Sequence, residues 1–557
     1  MSRWKALKKY IIADLSSDKN AFSIGGWGDE PDAQANGDVP EMATPQDAVK
    51  ADPGYLSSHL QTNIVWFKQR FSYPQSKGLV VRRFKLGRSS FQAAVIYIDG
   101  QVDWEHLNAT VLVPLITLDI MDDVISFDAT SLIEEIVTEG QVTASNTCIN
   151  IENYILMGFA AIFVDGLDTA VIAEIKGWEK KSIDKPITET VVRGSLEGFT
   201  DDIQTNLSMI RRRLRTSDLM VEWQQVGTLS QTEVAIVYLK SIANAEVVAE
   251  TRKRITGIQY DYISDSGTIE QFIEDRPNSL FPTVMSTERP DRAAAQIAEG
   301  YVSIIVDNSP FALIVPANLP LFLQTAEDAN LRWTYGSFIR IIRMIGYFLS
   351  LYLPAIYVGI ANYHQEMIPT PLITAIAGTR ETVPIPVAAE AFMLESMFEL
   401  IREAGVRIPS VIGPTIGIVG ALILGQAAVQ ANIVSPIVVI ITATTALASY
   451  TIPNYNLQFA SRILRFIYLL SASFLGLVGV VLVSILFLSY RASTHSFGVP
   501  LLSPITPHRQ SDDTLIRGAI TKQKFRPFSI RPKILRKTTD SPTESPSASL
   551  KLEEDQT

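Results

Sequence analysis

The chain has 557 residues, 47% of them hydrophobic, and its 58 acidic and 48 basic residues give a formal net charge of −10. This acidic balance argues against a general nucleic-acid binder, which normally carries a basic surface. The single cysteine, Cys148, excludes an intrachain disulfide.

The N-terminal segment is expected to form a disordered leader over residues 1–61. Between residues 14 and 60 it is rich in Asp, Gly, Pro, Ser and Ala and shows no sustained periodicity. The apolar stretch at residues 10–13 is too short for the core of a signal peptide. We therefore expect the soluble region that follows to be cytoplasmic.

Short strands and helices alternate in the region after the leader. In its first part, four strands are predicted in two hairpins, over residues 82–86 with 92–98 and over residues 160–164 with 170–175. Asp165-Gly166, between the second pair, is a typical tight-turn sequence. In its second part, strands are predicted over residues 234–239, 301–306 and 312–315. The alternation occurs twice, which predicts an α/β region of two small subdomains, 62–185 and 186–330.

The C-terminal half is apolar enough to enter a bilayer, because no Asp, Glu, Lys, Arg or His occurs between Ile408 and Ser461. The predicted spans are residues 339–361, 411–433, 437–452 and 466–490, and residues 387–404 could supply a fifth. We therefore expect an α-helical membrane domain of four to five transmembrane helices over 335–490.

The predicted spans also set the topology of the chain. Four spans return the C-terminus to the cytoplasmic side, and residues 491–557 are expected to form a mostly disordered cytoplasmic tail. The same count leaves Arg462 and Arg465 on the outer side, against the positive-inside rule.

Three charged residues share one face of the helix predicted over 387–404. Glu395, Glu399 and Arg402 are spaced i, i+4 and i+7. One hypothesis is an interfacial amphipathic helix whose charged face lies in water. The other places these charges in a pore, where Glu395 and Glu399 of a subunit ring would form acidic collars that favour cations. They are the candidate pore or gating residues.

A stripe of small residues follows in the uncharged stretch. Gly413, Gly417, Ala421 and Gly425 recur every four residues, so they share one face of a helix. Such a stripe lets another helix backbone approach closely, either within a bundle or in an oligomer.

Nothing in the sequence asks for catalysis. Phosphate loops of the GxxxxGK[ST] kind, HExxH, CxxC and GxSxG are all missing, and the five histidines are scattered. We predict no enzyme, no catalytic residue, no cofactor and no metal. The run Arg211-Arg212-Arg213 with Arg215 is interpreted as a salt-bridged or subunit-contacting face and not as a nucleic-acid site.

Several longer strings resemble one family. They are AAVIYIDG at 93–100, RGSLEGFT at 193–200, TERPD at 287–291, DNSPF at 307–311, LPAIY at 353–357, YHQEMIP at 363–369, REAGVRIP at 402–409 and IGPTIGIVG at 412–420. Because these strings are long and in order from about residue 62 to 490, the chain resembles the A subunit of spore germinant receptors, the GerA family.

The resemblance implies a protein of the spore inner membrane in endospore-forming bacteria, in contact with membrane lipid and with both termini on the cytoplasmic (spore core) side. It implies two partners, a transporter-like B subunit that senses nutrient and a lipoprotein C subunit. It also implies a homo-oligomer, a pentamer, that forms a nutrient-gated ion channel and releases monovalent cations.

Two rival functions stay open at this point. A non-conducting scaffold that assembles the B and C subunits would need the same membrane domain. A secondary transporter usually has more spans and paired broken helices than this chain has hydrophobic segments.

Overall fold

Two antiparallel five-stranded sheets form the N-terminal half of the protein, and helices form most of the C-terminal half. The computed structural model describes residues 54–87, 91–117, 142–177, 185–407, 425–506, 513–514, 516–520 and 523–537.

The first α/β domain is one sheet with helices on both faces. Its described elements are α1 (Leu60–Arg70), β1 (Leu79–Lys85), β2 (Gln92–Ile98), α2 (Trp104–Leu107, continued by a π-helical turn at Asn108–Leu112 and by Val113–Thr117), β3 (Val142–Ser145), α3 (Cys148–Leu156), β4 (Ala160–Val164) and β5 (Ala170–Ala173). The strand order is β1-β2-β4-β5-β3. Helices α1 and α3 pack on one face and α2 on the other.

Both predicted hairpins are confirmed. Strands β1 and β2 pair from Leu79 opposite Ile98 to Lys85 opposite Gln92. Strands β4 and β5 pair around the predicted turn, where Gly166 has a φ of 96° that a glycine adopts without strain.

The second α/β domain repeats the sheet of the first. Its elements are α4 (Ile203–Arg213), β6 (Leu219–Val226), β7 (Thr232–Leu239), α5 (Ala245–Thr256), α6 (Ser266–Ile273), β8 (Met285–Thr287), α7 (Pro290–Glu299), β9 (Val302–Val306) and β10 (Ala312–Val315). The strand order β6-β7-β9-β10-β8 is the arrangement of the first sheet again.

Helices follow from residue 319 onward. The elements are α8 (Leu319–Leu323), α9 (Ala326–Asn330), α10 (Trp333–Tyr363), a 3₁₀ turn (Gln365–Met367), α11 (Thr370–Arg380), α12 (Val387–Arg407), α13 (Pro436–Ser449), α14 (Tyr455–Ser493), the short strands β11 (His495–Ser496) and β12 (Val499–Pro500), and a 3₁₀ turn (Phe528–Ile530). One apolar core joins the second sheet to these helices, since Ile305 and Leu321 belong to the same cluster as Tyr347 and Leu469.

Two of the described helices are long and apolar enough to cross a membrane, α10 with 31 residues and α14 with 39. Helix α13 is also apolar but has only 14 residues. The predicted span at 411–433 lies partly outside the described residues, which resume at 425. The number of four to five spans therefore stays a prediction.

Helix α14 reverses direction at Gly476, which corrects the prediction of one straight span over 466–490. Gly476 has φ 60° and ψ −146°, outside the helical region. The rings of Tyr468 and Phe487 lie 6.1 Å apart, whereas 19 residues of continuous helix would separate them by about 28 Å. The segment is a hairpin of two antiparallel limbs.

Both ends of the hairpin reach the second α/β domain. Near its start, Asn456 donates a hydrogen bond to Glu270 at 2.9 Å, and at its end Arg276 donates to Ser493 at 3.2 Å. Each limb is about 25–30 Å long at 1.5 Å per residue, close to the thickness of the hydrocarbon core.

The mostly disordered tail predicted over 491–557 is wrong for residues 494–506 and for the described part of 513–537. Phe497, Leu501 and Ile530 are each at most 1% exposed. Ala317 donates its backbone N–H to the Ser496 hydroxyl at 2.8 Å, so the segment is fixed on the second domain. Charge and proline content suggested disorder, but apolar side chains spaced along the segment are enough to hold it.

We predict that Gly476→Ala destabilises the protein by about 1–3 kcal/mol. A Cβ there would lie 2.9 Å from the Tyr363 Cβ, at a φ that other residues rarely adopt. Unfolding of the purified protein in detergent measures the effect. Gly378→Ala, where a Cβ meets nothing within 4 Å, is the matched control and should not destabilise. Equal behaviour of the two variants would contradict the hairpin.

Candidate functional site: the buried charged face of α12

The three charged residues predicted as a functional face lie inside the helical domain. Helix α12 packs against α10, α13 and α14. Glu395 is 1% exposed, and the side chains of Glu399 and Arg402 are 20% and 14% exposed. The structure thus places the charged face against protein and away from bulk water.

Two arginines of the first limb of α14 neutralise the two glutamates. Arg465 Nη1 donates to Glu395 Oε2 at 2.5 Å, and Arg462 Nε donates to Glu399 Oε2 at 2.8 Å. We call these two pairs the ion-pair ladder. The two pairs form together because α12 and the first limb of α14 run antiparallel. The glutamates are four residues apart on one helix and the arginines three residues apart on the other, so each set lies on one face of its helix.

Arg402 completes this face toward α13. Its Nη2 donates to the Ser449 hydroxyl at 2.8 Å, and its guanidinium lies 4.6 Å from the centre of the Tyr450 ring. The predicted candidates are therefore brought together, but each already has a partner within the subunit.

Sequence reasoning missed the partners of this face. It treated Arg462 and Arg465 as a violation of the positive-inside rule, and it did not single out Glu390, which is 0% exposed. Glu390 Oε2 accepts the backbone N–H of Ser435 at 2.8 Å, at the start of α13. The matching spacing of the glutamates and arginines was the available signal.

The predicted small-residue stripe falls largely outside the described residues. The described residues do not include Gly413, Gly417 or Ala421. Gly425 lies beside α13, since a Cβ on it would be 3.6 Å from Val439 Cγ1. Its role in helix packing stays a prediction.

A second charged cluster anchors α10 on the second α/β domain. The carboxylate of Asp328, 0% exposed, accepts hydrogen bonds from Arg343 at 2.8 Å and Arg340 at 3.1 Å. From the C-terminal segment, Arg517 donates to the carbonyl oxygens of Asp328 and Leu331 at 2.7 and 2.9 Å. These contacts connect the base of α10 to α9, and α9 to the C-terminal segment.

The arginine run is salt-bridged, as predicted, although the acidic partner is Glu197. Arg212 and Arg213 both pair with this carboxylate. Arg211 is buried, and it donates to the carbonyl oxygen of Asp99 in the first domain at 2.8 Å. Burial lowers the pKa of Arg211 to about 10, so it stays charged at neutral pH and joins the two α/β domains.

Among the residues that the structure describes, no group of three or more His, Cys, Asp or Glu side chains could hold a metal ion. The contacts described on the charged face of α12 are ion pairs and hydrogen bonds between helices.

Glu270 is the titratable group at the junction with the hairpin. It accepts a hydrogen bond from Asn456, and it lies near Glu274 and Asp265. Burial first, and the repulsion from Glu274 next, raise the pKa of Glu270 to about 7.

We predict that removing one charge of the Glu395–Arg465 pair destabilises the protein, whereas removing both charges does so much less. Glu395→Gln leaves Arg465 as a buried unpaired cation and should cost about 3–5 kcal/mol. Glu395→Leu with Arg465→Met removes both charges and should recover most of that loss. Unfolding in mixed detergent micelles measures both. Glu174→Gln, which breaks the partly exposed Glu174–Lys176 pair, should cost about 0–1 kcal/mol. A double variant no more stable than Glu395→Gln would contradict the prediction.

We predict that Glu270 makes the protein less stable as the pH rises. Its folded-state pKa is raised, so its contribution is complete below its ordinary pKa of about 4.5 and is lost as the pH rises through about 7. Glu270→Gln should therefore gain stability relative to the wild type between pH 5 and pH 8, on the order of 2 kcal/mol. Thermal unfolding at each pH checks this. The exposed Glu246→Gln variant should follow the wild-type profile, and a pH-independent difference for Glu270→Gln would contradict the assignment.

Comparison with known proteins identifies the chain. Residues 66–529 match the family described as Bacillus/Clostridium GerA spore germination protein. Spore germination protein KA of Bacillus subtilis is 39% identical over 484 residues, which is 86% of this chain and 88% of that protein. Spore germination protein GerLA of Bacillus cereus is 38% identical over 457 residues, 82% of this chain and 92% of that protein.

A solved structure is similar to the N-terminal half. The N-terminal domain of the A subunit of the Bacillus megaterium spore germinant receptor GerK3 is 34% identical, and the match covers 47% of this chain and 96% of that domain with a TM-score of 0.38. The family match over residues 66–529 and the two relatives show that the protein belongs to the GerA family of spore germination proteins, as a germinant receptor A subunit.

Proposed function

We propose that this A subunit oligomerises in the spore inner membrane, as a pentamer, into a nutrient-gated channel that releases monovalent cations. Its partners are a transporter-like B subunit, a lipoprotein C subunit and membrane lipid. The observation that carries the proposal is the ion-pair ladder buried between α12 and the first limb of α14.

The ladder supports a functional role because burial makes its charges expensive. Replacing a buried ion pair by apolar side chains of similar size is often neutral or stabilising. Ionisable groups at membrane depth accordingly tend to serve ion pathways or switches. A gain in stability therefore does not explain why this helical domain contains the buried pairs Glu395–Arg465 and Glu399–Arg462.

The pairing also suggests how the conduit is gated. In the described subunit the arginines neutralise both glutamates, so an acidic collar exists only when α12 separates from the first limb of α14. In the proposed mechanism, nutrient binding to the B subunit favours this separation. Glu395 and Glu399 then face the conduit and attract cations.

The hairpin supports the proposed orientation. Residues 494–506 and 523–537 pack on the second α/β domain. This packing supports an orientation in which the C-terminal segment and that domain lie on the same side of the membrane. In the proposed orientation the second α/β domain is cytoplasmic. Because the first limb of α14 starts at that domain, Arg462 and Arg465 would then lie toward the cytoplasmic side, in accord with the positive-inside rule. Exposed apolar side chains on the second limb, such as Leu482, Ile485 and Leu486, suit contact with lipid.

A flux assay on the receptor complex in liposomes tests the proposal. Glu395→Gln with Glu399→Gln should lower the nutrient-stimulated cation flux, because the collar loses its charge. Arg462→Gln with Arg465→Gln should raise the flux without nutrient, because the glutamates lose their partners. Opposite effects separate the mechanism from simple misfolding, which would abolish the flux in both variants.

The surface variant Glu174→Gln is the control and should leave both fluxes unchanged. Flux that is unaffected by either pair of substitutions would reject the acidic collar. A complex that contains the B and C subunits but conducts no better than protein-free liposomes would favour the alternative, a non-conducting scaffold.

A further inference from the structure

Helix α13 carries hydroxyl side chains along its buried face. Ser435 (its N-cap), Thr442, Thr445 and Ser449 are each 0% exposed. Their spacing places them on one side of the helix, over about 20 Å of its length. The opposite side is apolar and exposed, for example at Ile440 and Leu447.

Charged groups of α12 lie at both ends of this stripe. At one end the Glu390 carboxylate accepts the backbone N–H of Ser435 at 2.8 Å. At the other end Arg402 donates to the Ser449 hydroxyl at 2.8 Å. Glu390 and Arg402 are about 18 Å apart along α12, so the two helices run side by side between these contacts.

The same end groups have unused hydrogen-bonding capacity. Among the described residues, Glu390 Oε1, the Ser435 hydroxyl and Arg402 Nη1 are buried without a hydrogen-bond partner. Arg380 approaches the Glu390 carboxylate only to 3.5 Å. A buried carboxylate oxygen without a donor costs about 1–3 kcal/mol or more, and ordered water is the usual way in which proteins avoid that cost.

The hydroxyl groups in the middle of the stripe can also bind water. Thr442 and Thr445 donate their hydroxyl protons to Val438 and Ile441 of their own helix, at 2.9 and 2.8 Å. A hydroxyl that donates in this way still has lone pairs that can accept from water. The nearby carboxylates and guanidinium groups largely balance in charge, which favours water over a bound ion.

We infer that α12 and α13 enclose a file of water molecules within a single subunit, from Glu390 past Thr442 and Thr445 to Arg402. This seam is distinct from any conduit between subunits, and it does not require the channel proposed above. It places water beside the buried face of α13, inside the helical domain.

Cysteine reactivity in the full-length protein, reconstituted in liposomes, tests the seam. The background is Cys148→Ala, since Cys148 is the one native thiol. Thr442→Cys and Thr445→Cys place thiols at the midpoint, and 2-aminoethyl methanethiosulfonate is the probe. Val358→Cys is the matched control: it is also 0% exposed, but its side chain belongs to the apolar core, beside Gly359, which packs on the hairpin at Leu477.

We expect the midpoint thiols to react at least tenfold faster than the thiol at position 358. Two midpoint positions keep the test usable if one variant fails to fold, which its melting temperature would reveal. Midpoint thiols as slow as the control would overturn the seam, because a dry interface excludes the probe. Equally fast reaction at position 358 would also overturn it, since the domain would then open as a whole. The readout is independent of ion flux, so a failed flux assay leaves this result interpretable.

Discussion

Charge neutralisation inside an apolar bundle is the constraint on which the helical domain depends. Glu395 and Arg465 are almost fully buried, and neither could be ionised there alone without a penalty of several kcal/mol. Their pairing fixes α12 against the first limb of α14, and the Glu399–Arg462 pair fixes its register. A helix that could have lain on the membrane surface is thereby held in the interior.

The hairpin at Gly476 returns the second limb of α14 to the second α/β domain. If α14 continued straight, the second limb would extend away from the second α/β domain and Ser493 could not reach Arg276. The reversal brings Phe487 and Tyr490 back against Phe281 of that domain, with ring centres 6.3 Å apart. The hairpin and the second sheet thus share one apolar core of packed side chains.

The two α/β domains share one topology but have different surroundings. The second sheet shares its core with helices of the C-terminal half, and the C-terminal segment packs against it. The first sheet has its own two cores, and it meets the second domain partly through Arg211 and the carbonyl oxygen of Asp99. The second copy of this fold thus supports the helices, whereas the first copy has cores that are separate from them.

The sequence by itself determined the class of the protein, the two hairpins, the family and the face that carries Glu395, Glu399 and Arg402. These follow from local patterns, such as strand alternation, turn residues and side chains spaced along a helix. Only the tertiary structure decided what that face touches, that the last apolar segment turns back at Gly476, and that residues near Phe497 and Ile530 are ordered. Each of these depends on contacts between segments far apart in the chain, whose free energy local periodicity does not encode.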